Sequence, residues 1–184
     1  MNVENVTSEP TGRTGHSMTS VNNFLIIYGG YDFVNRITYN ELWMYNTIGD
    51  TWIRHQTPFD TENRSTLSAI CAVGNFVYIF GGKNPSVPSQ ATNILISFDI
   101  SSATWKILSV HTNEYDQNRP PQMYNSCIVY HNESLYIVGG FTEGEFSDKM
   151  FNFCLKTSKW TFVTQNAPKL SSKKKIFSTV FKNK

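Results

Sequence analysis

With 184 residues, the chain has length for one or two domains, and at 14% aromatic and only 16% charged residues its composition favours β-structure. Its formal charge of +2 is uneven: Lys169, Lys173, Lys174, Lys175, Lys182 and Lys184 give residues 169–184 a charge of +6 and leave residues 1–168 at −4. A mildly acidic body argues against a nucleic-acid-binding face, and no apolar run reaches membrane-spanning length.

Cys71, Cys127 and Cys154 are odd in number, lack a Cys-x-x-Cys spacing and fall in apolar stretches, so they read as buried free thiols in a reducing compartment. Residues 1–5 show neither the basic nor the apolar region of a signal peptide. Together these features predict a soluble cytoplasmic protein.

Residues 1–12 are polar, with Pro10 and Gly12 marking an N-terminal loop or edge segment; residues 3–7 could form a short edge strand. The first unit, 13–55, opens with a strand of small and polar residues from His16 to Val21 and a tight turn at Asn22-Asn23. An apolar strand from Phe24 then stops at Gly29-Gly30, and a loop over 31–39 leads to a strand at 41–45 and a fourth strand holding Trp52. Four short strands separated by turn formers make an antiparallel meander.

The same order returns over 64–108 and 119–163, with Gly81-Gly82 and Gly139-Gly140 placed 52 and 58 residues after the preceding pair. Trp52, Trp105 and Trp160 follow their glycine pairs by 22, 23 and 20 residues, and seven residues before each tryptophan stands an aromatic, Tyr45, Phe98 or Phe153. A turn former, Asn22, Gly74 or Asn132, lies seven residues before each first glycine. Residues 172–184 match the first strand of a fourth, truncated unit, so the chain reads as a fragment, a truncated product or a half completed by a second copy.

This combination of a Gly-Gly after an apolar strand, an aromatic on the next strand and a spaced Trp, at a period of about 50 residues, resembles the Kelch-repeat family from Arg13 to Trp160. The resemblance implies an all-β fold of propeller blades, here an incomplete propeller of about three. Physical reasoning agrees: a four-stranded sheet that is apolar on both faces needs a neighbour on each, and radial stacking supplies them. An incomplete ring exposes an apolar blade face at each end, which predicts self-association.

In such a meander the long connections gather on one face. That face offers Tyr31, Phe33, Arg36, Phe59, Arg64, Tyr115, Arg119, Phe141 and Phe146, of the aromatic and Arg types that dominate protein interfaces. The four histidines share no metal-ligand spacing, and no nucleophile elbow, phosphate loop or dinucleotide fingerprint occurs, so neither a catalytic residue nor a metal or cofactor is expected. The favoured function is a non-enzymatic scaffold or adaptor that binds a protein partner through the loops. What the resemblance implies for context is cytoskeletal, ubiquitin-ligase adaptor or trafficking work. The alternative is an enzyme on the same scaffold acting on a carbohydrate, of oxidase or mutarotase type, completed by further blades.

Overall fold

A computed structural model of the chain describes residues 9–59, 65–87 and 90–164. Arg64, the edge strand expected over 3–7 and the strand expected within 172–184 lie outside them. The first unit contains β1 (Ser17–Val21), β2 (Phe24–Tyr28), a small hairpin of β3 (Tyr31–Asp32) and β4 (Ile37–Thr38), then β5 (Glu41–Asn46) and β6 (Thr51–Gln56). The second contains β7 (Ala69–Val73), β8 (Phe76–Phe80), β9 (Leu95–Asp99) and β10 (Thr104–Ser109). The third contains β11 (Cys127–His131), β12 (Ser134–Val138), the hairpin β13 (Phe141–Thr142) and β14 (Glu145–Phe146), then β15 (Met150–Cys154) and β16 (Lys159–Phe162). Each unit is one antiparallel four-stranded sheet, ordered β1-β2-β5-β6, β7-β8-β9-β10 and β11-β12-β15-β16. These are propeller blades, and the three described do not close a ring.

The repeated spacings are cross-strand pairs. Trp52 stands opposite Tyr45, Trp105 opposite Phe98 and Trp160 opposite Phe153. Their ring centroids lie 4.9, 4.8 and 4.9 Å apart, the distance at which offset and tilted aromatic pairs attract. The turn residues Asn22, Gly74 and Asn132 all have positive φ, at 51°, 57° and 45°, so the turns favour the residues found there.

Two apolar clusters lie between blades. One joins Ile26, Tyr28, Leu42 and Met44 of the first blade to Val77, Ile79, Ile96 and Phe98 of the second. The other joins Phe80 and Leu95 of the second to Met123, Leu135, Ile137 and Phe153 of the third. The second and third repeat tryptophans reach back: Trp105 lies 6.3 Å from Tyr28 and Trp160 lies 5.9 Å from Phe80, each ring meeting the residue just before a glycine pair. Inner strand β7 lies against both β1 and β11, so the sheets converge on their small-residue strands.

The first two glycine pairs latch one blade to the next. The Gly30 N–H donates to the Ser65 carbonyl at 3.4 Å, and the Gly82 N–H to the Met123 carbonyl at 3.0 Å. A Cβ on Gly81 would sit 2.5 Å from that Met123 oxygen, and one on Gly29 would overlap the Ser65 oxygen. With φ near +66° at both, glycine is required twice over: for the backbone conformation and for the close approach. A second thread runs nearer the axis, where Leu67 N–H donates to Gly15 O at 2.7 Å and Asn125 N–H to Leu67 O at 2.9 Å. All three of these residues have positive φ, at 64°, 60° and 55°.

Two expectations change. The stretch after the first glycine pair, read as a loop over 31–39, and the equivalent stretch after the third carry short ladders: Tyr31 pairs with Thr38 and Phe141 with Phe146. Positive φ at Arg36 in one and at Glu143 and Gly144 in the other turns the chain back on itself. The cysteines form no disulfide and are half-buried, not buried. By strand alternation Cys127 points away from the Ile128 side that enters the second cluster, and Cys154 ends β15 at a turn. Burial, with Cys127 nearby, still pushes the Cys71 thiol up to about 12, so it stays protonated and unreactive at neutral pH.

Candidate protein-binding face

The residue after each glycine pair is pinned before any loop begins. Tyr31 exchanges backbone bonds with Thr14, Lys83 with Thr66 and Phe141 with Tyr124, each at 2.8–3.3 Å. This bridge fixes where the long loops leave the blades. It also buries Tyr31, only 8% exposed, which therefore supports the face from beneath and is not presented to solvent.

In the first blade the hairpin tip is held by Asp32, whose carboxylate accepts from the Val34 N–H (2.8 Å), the Asn35 N–H (3.1 Å) and the Asn35 side chain (2.7 Å). These bonds, the Asn35 side chain foremost, hold its carboxyl below the usual carboxylate range. The tip displays Phe33 at 74% and Val34 at 90% exposure, followed by exposed Arg36. Phe59 is half-buried against the first apolar cluster, where its carbonyl accepts from Asn40 Nδ2 at 3.3 Å. It seals a blade end.

Tyr115, Arg119, Phe141 and Phe146 come together in one cleft of about 760 Å³ between the 112–122 connection and the β13–β14 hairpin. Ala91 and Asn93 enter from the second blade, and Phe151 and Phe162 from the outer strands of the third. Two aromatic groups line the cleft: Phe141 lies 5.3 Å from Tyr124 and 4.9 Å from Phe146, and Phe151 lies 5.6 Å from Phe162. The far wall is held by Asn93, whose side chain bonds Thr112 N–H and the carbonyls of Thr112 and Pro120 at 3.0–3.2 Å. Tyr115 stands free at 92% exposure. Arg119 turns inward, its Nη2 donating to the Val110 carbonyl; burial draws its guanidinium below the usual range, with Asp116 opposing. It braces the wall, with its Nε buried and unpaired.

The nine predicted residues therefore divide. Four share the cleft, Phe33 and Arg36 crown a separate hairpin, Tyr31 and Phe59 are structural, and Arg64 lies outside the described residues. Sequence reasoning missed a buried ionic network under the first hairpin. Glu41, 4% exposed along its side chain, pairs with Arg13 at 3.0 Å and Arg54 at 2.5 Å and accepts from Trp43 Nε1 at 2.7 Å. Arg13 also lies 3.8 Å over the Tyr39 ring. With both carboxylate oxygens engaged, this buried charge is fully compensated.

Among the described residues, no group of three or more His, Cys, Asp or Glu is placed to hold a metal ion, and no helix is long and apolar enough to cross a membrane. His55 packs 4.8 Å from Phe98, and burial lowers its pKa. His111 Nδ1 lies 3.0 Å from Thr92 Oγ1.

Comparison with known proteins gives the same pattern. The chain is similar to Kelch domain-containing protein 10 of Rattus norvegicus, at 27% identity over 169 residues, covering 85% of this chain and 40% of the relative. It is similar to the leucine-zipper-like transcriptional regulator 1 homolog of Drosophila melanogaster, at 24% identity, covering 84% of this chain and 16% of the relative. Host cell factor of Drosophila melanogaster shares 27% identity, covering 71% of this chain and 9% of its own length. The chain thus spans two-fifths or less of these curated relatives. The Kelch-repeats domain described for KLHDC2, KLHL20 and DRC7 matches residues 1–115 and, overlapping, 67–184. With three glycine-latched blades and this match over its whole length, the chain belongs to the Kelch-repeat family.

Proposed function

We propose that this chain is a non-enzymatic interaction module that holds a protein partner on its long-loop face, chiefly in the cleft between the second and third blades. The observation that carries this reading is the convergence there of Tyr115, Phe141 and Phe146 beside a rigid, aromatic wall. A concave site with exposed aromatics on fixed loops is where interface hot spots form. A carbohydrate enzyme of the oxidase or mutarotase type would need a pocket at the propeller axis. The cleft instead sits over the outer strands β15 and β16, through Phe151 and Phe162.

The reading is tested by quantitative cross-linking and capture with two double variants, Tyr115→Ala with Phe146→Ala and Phe33→Ala with Arg36→Ala. The cleft pair is expected to reduce partner recovery about tenfold or more, as hot-spot truncations do, and the hairpin pair to leave it near the wild-type level. Equal recovery with both variants would overturn the assignment to the cleft.

A further inference from the structure

The cleft has a charge as well as a shape. Its lining includes five carboxylates, Glu114, Asp116, Glu143, Glu145 and Asp148, against two cations, Arg119 and Lys149. Arg119 donates to the Val110 carbonyl and remains one of the two cations of the lining. Glu114, Glu143 and Glu145 have no ion-pair partner among the described residues, whereas Asp116 acts on the Arg119 guanidinium. Glu143 and Glu145 stand exposed on the β13–β14 hairpin, directly beside the Phe141–Phe146 pair. An apolar floor therefore lies beneath a rim of negative charge.

Resting on the interaction reading above, we propose that the cleft takes a lysine- or arginine-rich segment of its partner in extended conformation, with one aromatic or aliphatic side chain set between Phe146 and the 112–122 wall. Charge complementarity selects this occupant. An acidic or phosphorylated segment would meet a net charge of −3 in the lining, and like charges across an interface suppress the wrong partner. A purely apolar segment would leave the carboxylates of Glu143 and Glu145 partly desolvated without compensation. A basic segment with a single anchor satisfies both: cations at the rim in contact with solvent, and the anchor in a volume within the range of sites that enclose short ligands. Rim charges of this kind act mainly on the rate of encounter and its salt dependence, whereas the anchor governs residence.

The test uses the full chain and two fluorescein-labelled probes, Lys-Phe-Lys-Leu-Lys-Lys and its glutamate counterpart Glu-Phe-Glu-Leu-Glu-Glu, read by fluorescence anisotropy. The basic probe is expected to bind at least about tenfold more tightly than the acidic one at low salt and to weaken steeply between about 50 and about 300 mM salt. Glu143→Lys with Glu145→Lys, both exposed and clear of the core, is expected to reverse that preference. Phe146→Ala is expected to weaken the basic probe about tenfold with its salt slope unchanged. Equal binding of the two probes, or a preference that survives charge reversal, would overturn the proposal. If Tyr115→Ala with Phe146→Ala abolishes partner capture while the basic probe fails to bind, the interaction module stands and the basic-segment inference falls.

Discussion

At the scale of single residues, the glycine pair is a joint between blades rather than a ligand loop, and two glycines with nearly equal φ separate the two reasons for glycine. Gly81 has φ +66° and no room for a Cβ, because the Met123 oxygen occupies that space; Gly74 has φ +57° and open space around it. Gly74→Ala is expected to cost about 1 kcal/mol, the left-handed penalty alone. Gly81→Ala is expected to cost about 3 kcal/mol or more once the overlap is added, read from urea midpoints. Equal losses would mean that the blades are not latched there. His55 gives a pH signature. Its imidazole is half-buried against Phe98 with Nε2 unpaired, and burial holds its pKa below the ordinary 6.5. A depressed folded pKa makes the neutral ring's contribution complete above about pH 6.5 and lost as pH falls through the folded value. Between about pH 7.5 and about pH 5 the wild type should therefore lose more stability than His55→Gln, measured by chemical denaturation at each pH.

At the scale of elements, the tryptophan strand is the back-reaching arm of the second and third blades. Trp160 meets Phe153 in its own sheet and Phe80 in the preceding one, and its Nε1 donates to Ser109 Oγ at 2.9 Å. Trp52 meets Trp43 and Tyr45 of its own blade. Trp160→Ala should cost about 3–5 kcal/mol and Trp52→Ala about 1–2 kcal/mol, a ratio that thermal or urea melts would resolve. The blade was legible in the sequence because each motif residue answers a partner at fixed register: Tyr45 faces Trp52, and Phe98 faces Trp105. The small hairpins were not legible, since a ladder as short as Tyr31–Asp32 against Ile37–Thr38 is too brief to show a period. Nor was the Glu41 network. Arg54 reaches Glu41 only once β5 and β6 pair, and Arg13 approaches from a connection 28 residues away in sequence. For the candidate site, residue types were legible, but not that Arg119 would donate to the Val110 carbonyl or that Tyr31 would be buried.

At the scale of the whole molecule, the second blade is sandwiched between its neighbours, and among the described residues the first blade turns one face outward. By alternation the outward face of the first blade carries Met18 and Leu25, 53% and 41% exposed, above half-buried Tyr45 and Trp52. An apolar sheet face of this kind favours association. Sedimentation of the 184-residue chain at micromolar concentration should show mass rising with concentration, and Leu25→Lys should shift it toward monomer; a monomer at all concentrations would rule out a sticky face. The latches also give the array a sense of direction. Every described blade boundary donates a glycine N–H forward and receives an N–H from the next blade near the axis, as Gly82 does with Met123 and Leu67 with Asn125. An inverted blade would set donor against donor. A duplicated one would arrive already carrying both halves of the joint, so tandem copying lengthens such an array without any new interface having to evolve.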